Sequence, residues 1–297
     1  IVDYEIPNFS NLTYNRKTPL SGVFLYQLTM YPIIYQKINH IVTYIVNKFK
    51  LIPNDTPIKG RPLKIKKIEA LTLALYQHQS TRATKQSLFD DFKTQLNCSY
   101  KTLVVNMNKS GALALRILFI LMRIGRKDAH LVKLTDATDI PVCLNKNAKR
   151  NKTMRGLATW GHSGKGFYYG LKMTLTRDIA GRMLGLMFTP ANANDREIFR
   201  KINKDIEGII VADAGYVSKK LEKDMNVEGK RWCLIRPQKR MRKLAESWQL
   251  KLYDLRFRIE FDFRSLKMSH GLVSSLPRSV DGMIGNYLSA LLSFVLA

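Results

Sequence analysis

From about residue 129 onward the periodicity of the chain allows few folds. FYYGLKMTLTRD alternates, with Tyr169, Leu171, Met173 and Leu175 facing one way and Gly170, Lys172, Thr174 and Thr176 the other, as a half-buried strand requires. Asp178 to Gly181 supplies a turn, and GRMLGLMFTPAN returns as the second strand of a hairpin. HLVKLTDATDIPVC precedes them as a first strand. EGIIVADAGY holds an apolar strand over Ile209 to Ala212, and KRWCLIRP holds another. DREIFRKI and SKKLEKDM, the latter capped by Ser218, read as helices between strands. The expected order is β-β-β-α-β-α-β-α, which calls for an α/β fold with a five-stranded mixed sheet flanked by helices.

Residues 1–128 read differently. The stretch from Thr18 to Phe49 has helical spacing with a break near Pro32. A further helix is expected from Ile65, and two more over 81–97 and 101–124. The division expected is therefore 1–128, an all-helical region, and 129–297, the sheet domain. The apolar runs at 111–125 and 283–297 are shorter than the roughly 20 residues a membrane span needs, so both are expected to be buried helices and no membrane partner is expected.

Charge narrows the partner. Lys and Arg number 49 against 23 Asp and Glu, a formal net charge of +26. The excess is spread along the chain: 1–130 carries 19 basic and 7 acidic residues, 131–297 carries 30 and 16. Both halves suit a long polyanion, nucleic acid first. A helical, basic N-terminal region of this size could place a helix in the DNA major groove. The run Lys59-Gly60-Arg61-Pro62 is similar to the arms that enter the DNA minor groove, but reads first as a solvated interdomain turn. Three widely separated cysteines (Cys98, Cys143, Cys233) and the lack of a signal-peptide pattern suggest a reducing, intracellular setting, and five scattered histidines make no zinc pair.

The chemistry rests on acids. Asp136 lies in the first strand, with Asp139 a near neighbour that could serve instead. Asp213 ends the fourth strand, where α/β sheets place ligands. Glu260 lies in LYDLRFRIEFDFRSLKMSH. Projected on one straight helix with Tyr253 at zero, Arg256 falls at about 300°, Glu260 at about 340° and Lys267 at about 320°. Leu252, Leu255, Ile259, Phe263 and Leu266 form an apolar stripe beside them. A carboxylate set among cations is a poor passive phosphate surface and a good metal ligand. Three carboxylates on two strands and a helix can converge on two Mg²⁺ ions about 3.5–4 Å apart, with hard oxygen ligands.

At these residues the chain resembles a DDE-type transposase of a bacterial insertion sequence. The Tyr-x2-Arg-x3-Glu-x6-Lys pattern matches at Tyr253, Arg256, Glu260 and Lys267, DATDIPVC resembles the first-Asp segment and VADAGY the second. The chain departs from the family pattern at Ala214 and Thr174, neither of them a metal ligand. The resemblance covers about 130–270. It implies an RNase H-like catalytic domain and metal binding by Asp136, Asp213 and Glu260, using two Mg²⁺ ions for which Mn²⁺ can substitute. It also implies that Tyr253, Arg256 and Lys267 hold transposon-end DNA by its phosphates, with a homodimer bringing two ends together in the bacterial cytoplasm, at the nucleoid. Arg264 joins that DNA face. The clusters around Lys146, Lys149, Arg150 and Lys152, and around Arg240 and Lys243, are expected to flank the active site and bind double-stranded DNA. GHSGKG (161–166) reads as a flexible basic loop. Trp160 and Trp232 are candidates to stack on an extruded base, Trp232 more readily packing in its own strand. Two other readings use the same residues: a catalytically silent DNA-binding derivative, against which the three acids argue, and a hydrolytic nuclease of the same fold.

Overall fold

The computed structural model describes residues 32–52, 63–80, 84–216, 218–228, 231–235, 246–273 and 278–297. The run 59–62, the N-terminal part of the Thr18–Phe49 stretch, and Arg240 and Lys243 with the rest of their cluster lie outside the described residues.

Among the described residues five helices come first: α1 (Ile33–Lys48), α2 (Lys67–Gln79), α3 (Lys85–Phe92), α4 (Tyr100–Lys109) and α5 (Gly111–Lys127). α1 starts directly after Pro32, whose fixed φ and missing N–H suit a helix entrance. Thr84 and Ser99 cap α3 and α4 by accepting the N–H groups of Ser87 and Thr102. The stretch Tyr100–Lys127 is apolar and long enough by composition to cross a membrane. Its apolarity is used in the core, where Leu103, Met107, Ile117, Leu118 and Met122 are buried.

Six strands follow among the described residues, one more than expected: β1 (Val132–Pro141), β2 (Thr159–Ser163), β3 (Gly166–Asp178), β4 (Met183–Pro190), β5 (Gly208–Ala212) and β6 (Arg231–Ile235). The extra strand is β2. The segment read as the loop GHSGKG is the closed end of a β2–β3 hairpin, with Trp160 opposite Tyr169 and Ser163 opposite Gly166. The sheet runs β2-β3-β1-β5-β6, and β4 pairs with the same edge of β3 that β2 uses nearer its start. β1 is antiparallel to β3 and parallel to β5, and β5 is parallel to β6. Helices α6 (Asp195–Ile202) and α7 (Lys219–Glu228) connect the later strands, followed by α8 (Ser247–Asp254), α9 (Phe257–Met268) and α10 (Val280–Val295). This is the RNase H-like α/β arrangement, with a helical region before it.

Alternation along β5 and β6 divides two cores. Ile210, Ala212, Cys233 and Ile235 face α6 and α7, where Phe199, Leu221 and Met225 are buried. Val211 and Leu234 face the larger core, which takes in Ile259, Phe263 and Leu266 of α9 and continues without a break into α1–α5 and α10. The core therefore does not divide at 128/129. The C-terminal helix, expected within the sheet domain, packs on α2, α4 and α5 instead. Its contact is close because it has glycine there: a Cβ on Gly285 would stand 2.6 Å from the Asn108 carbonyl oxygen, and one on Gly111 would stand 2.7 Å from the Gly285 Cα.

Candidate active site

The site is built where β5 ends beside the middle of the parallel strand β1. β1 and β5 pair Leu134 with Val211. Two residues further along each strand stand Asp136 and Asp213, so equal advance on neighbouring strands, spaced about 4.8 Å apart, brings the two acids level. Asp213 follows the last residue of β5 and opens a short 3₁₀ turn, Ala214–Tyr216, whose Tyr216 N–H donates to the Asp213 carbonyl. Glu260 comes from the first turn of α9, which packs against β1.

One guanidinium joins the three. Arg256 Nη1 donates to Asp136 Oδ2 at 3.1 Å and pairs with Glu260 Oε1 at 2.7 Å, and its Nε lies 4.0 Å from Asp213 Oδ1. That Nε is buried and makes no hydrogen bond. Asp136 is the most enclosed acid. Burial pushes its carboxyl up to about 6, against the Ala137 N–H that donates to it at 2.8 Å and the Arg256 charge; the negative charges of Asp213 and Glu260 add to the rise. Burial first, then the acids Asp136, Asp195 and Asp213, raise the neighbouring Tyr216 phenol above its usual value.

The segment expected to form one straight helix is two. Between Leu252 and Ile259 the backbone bonds shorten to i→i+3, from Leu255 N–H to Leu252 O through Ile259 N–H to Arg256 O. The single charged stripe is thereby cut. Tyr253, on α8, is buried and donates its hydroxyl to Ile235 O at 3.0 Å, tying α8 to the end of β6. Arg256 serves the acids rather than facing solvent. Lys267 donates to Asp139 Oδ1 at 3.0 Å, so Asp139 is engaged apart from the other acids. Burial lowers the Lys267 pKa. Of the four pattern residues, the fold brings Arg256 and Glu260 together and gives Tyr253 and Lys267 separate partners.

The other described cations of the expected DNA face are exposed. Arg264 is exposed on α9, and Lys146, Lys149 and Arg150 are exposed on the 3₁₀ turn Asn145–Arg150, with Lys152 just beyond. Trp160 is 46% exposed on β2. Trp232 differs from expectation: it is 43% exposed on the edge strand β6 and packs against Trp248, ring centroids 5.3 Å apart. An edge strand covers its residues from one side only, which is why strand pattern alone misplaced it. Sequence reasoning also missed the Arg177–Asp262 ion pair that holds α9 to β3. A strand cation and a helix acid 85 residues apart leave no local signal.

Hard carboxylate oxygens from the middle of one strand, the end of its neighbour and a helix, assembled around positive charge, fit a divalent cation in donor chemistry. Among the described residues, no group of three or more His, Cys, Asp or Glu side chains stands close enough together to hold a metal ion, because the three acids are spread around the guanidinium. An RNase H-like sheet with acids on adjoining strands and on a later helix defines the class of DDE nucleic-acid enzymes. The transposase DDE domain family matches residues 126–279, over half the chain, and the chain belongs to that family. No curated protein matches it.

Proposed function

We propose that this chain is the transposase of a bacterial insertion sequence, working as a homodimer at the nucleoid in the bacterial cytoplasm. It binds the element's terminal inverted repeats, cleaves at the ends and joins the 3′ ends to target DNA. Asp136, Asp213 and Glu260 would hold two Mg²⁺ ions, with Mn²⁺ able to substitute. Held by these acids, the ions would supply Lewis-acid activation of the attacking oxygen and charge stabilisation of the leaving one in displacement at phosphorus. The observation that carries the reading is the gathering of these three acids, from β1, the end of β5 and α9, on the single charge of Arg256.

The other residues bind and orient DNA in this reading. Lys146, Lys149, Arg150, Lys152 and Arg264, with Arg240 and Lys243, take phosphates. Arg256 and Lys267 exchange carboxylate partners for phosphate as the substrate enters, and Tyr253 holds α8 on the sheet so that α9 keeps its register. The test is a cleavage and strand-transfer assay with Mg²⁺ on duplexes from the element's ends, comparing wild type with Asp213→Asn and Glu260→Gln. Both variants are expected to bind the duplex and yield no joined strands. Cleaved but unjoined product from wild type would assign a hydrolytic nuclease instead, and loss of binding by a folded variant would remove the metal-ligand role.

A further inference from the structure

Glu260 reaches the other acids only while α9 sits correctly on the sheet. Ile259, Phe263 and Leu266 bury the inner side of the helix, but apolar contact is non-directional and tolerates a small slide or turn. Metal–oxygen distances tolerate only about 0.2 Å. Polar ties must therefore set the register. Arg256 ties the helix entrance to Asp136, and Lys267 ties its far end to Asp139. Two more ties lead to the end of β3. Arg177 pairs with Asp262 of α9, their side chains 12% and 14% exposed, and Arg258 Nη1 donates to Ile179 O at 3.0 Å. Arg177 is itself held by its Nε, which donates to Asp178 O at 3.0 Å. It stands opposite Leu134 of β1, which stands opposite Val211 of β5. That row lies two residues before Asp136 and Asp213, and Asp262 lies two residues from Glu260. The pairing of β3 with β4 also shifts by one residue here, Thr176 facing Gly185 and Arg177 facing Met183, and such irregularities re-aim a side chain.

We propose that Arg177 and Asp262 are positioning residues for the third acid, fixing α9 on the strand row from which Asp136 and Asp213 project, so that Glu260 meets them at one cation. The inference rests on the metal-ligand reading of the three acids and adds what holds the third in place. On that reading Arg256 and Lys267 turn to phosphate as DNA enters, so two of the ties are given up when Glu260 has to hold its ion. The Arg177–Asp262 pair is too enclosed to be drawn to phosphate and keeps its hold. Sign separates positioning from charge acting through space. By charge alone, loss of the Arg177 cation would strengthen binding of a divalent cation at the acids, and loss of the Asp262 anion would weaken it. Acting by position, both losses weaken it.

The experiment uses the full chain with a duplex of an already cleaved element end, its 3′ terminus a dideoxynucleotide so that nothing can be joined. Mn²⁺ is titrated and the free ion followed by electron paramagnetic resonance, with uptake by the duplex alone subtracted. Arg177→Gln and Asp262→Asn are each expected to raise the half-saturating Mn²⁺ concentration about ten-fold. The double variant should be no worse than the larger single effect, and Arg177→Lys, which keeps the cation, should recover most of the affinity. Duplex affinity in EDTA, read by fluorescence anisotropy, should stay at the wild-type value in Arg177→Gln and Asp262→Asn. Arg258→Gln, at an exposed position, should give a smaller shift in the same direction, and it carries the test of sign if urea melts show Arg177→Gln unfolded. Unchanged half-saturation in the single variants overturns the proposal. So does tighter Mn²⁺ binding by Arg177→Gln or Arg258→Gln beside weaker binding by Asp262→Asn, or a double variant in which the two shifts add. If wild type takes up no Mn²⁺ with the duplex, the metal-ligand reading itself fails and the pair's role with it.

Discussion

Replacing Arg256 with methionine should destabilise the protein in the absence of divalent metal, and Mg²⁺ should restore more of the loss in the variant than it adds to wild type. The reasoning starts from distance and burial. Nη1 stands 3.1 Å from Asp136 and 2.7 Å from Glu260. The side chains of Arg256 and Asp136 are 10% and 16% exposed, so little solvent screens that pair. Glu260 and Asp213 are 43% and 44% exposed, and their share is correspondingly discounted. Breaking a buried pair by removing one partner costs about 3–5 kcal/mol. The partly hydrated acids place this case near the lower end, about 3 kcal/mol. For a chain of this size that is a melting shift of about 6–12 °C. Methionine keeps apolar volume, so the loss is one of charge rather than of packing. A cation binding the folded state alone returns about 2.7 kcal/mol at one hundred times its dissociation constant. Thermal melts of both proteins in EDTA and across a Mg²⁺ series measure this. Equal melting temperatures in EDTA, or the same Mg²⁺ increment in both proteins, would refute the idea that the guanidinium occupies the position of the cation's charge.

Three further outcomes follow from the same structure. Tyr253→Phe should cost about 1–3 kcal/mol by leaving the Ile235 carbonyl unpaired, with duplex affinity unchanged in a binding titration; weakened DNA binding at full stability would return Tyr253 to a phosphate role. Gly285→Ala should cost about 2 kcal/mol or more in a urea melt, because the added methyl meets the Asn108 carbonyl oxygen at 2.6 Å, and an unshifted midpoint would contradict that contact. His78 is buried, its Nδ1 bonded to His270 O at 2.8 Å, and burial lowers its pKa to about 4. The unfolded chain then binds more protons than the folded one between about pH 6.5 and 4. This contribution is complete above pH 6.5 and drains away as pH falls through that window, by about 3 kcal/mol. Urea melts at pH 7 and pH 4.5 should show the slope in wild type and much less of it in His78→Gln.

The three acids proposed for the site could be picked out because each lay at a recognisable place in a local pattern: Asp136 inside a strand, Asp213 at the end of an apolar one, Glu260 beside an apolar helical stripe. Strand, helix and net charge are written in residue order, and the hydrophobic periodicity of 129–268 determined the α/β fold by itself. What it could not carry was the geometry between elements. β2 is five residues long with a glycine at its centre, so its existence depends on the edge of β3 that it joins. The break between α8 and α9 has no proline or glycine to announce it. It arises where Tyr253 is held by β6 and Arg256 by the acids of β1 and β5, forces that exist only once the sheet is assembled. For the same reason a pattern that reads as one charged stripe becomes a structural tyrosine, an arginine serving three carboxylates and a lysine paired with Asp139. The C-terminal helix shows the limit most simply. Its apolar sequence required burial, but only the close approach at Gly111 and Gly285 decided that it would be buried among α2, α4 and α5, joining it to these earlier helices in one core.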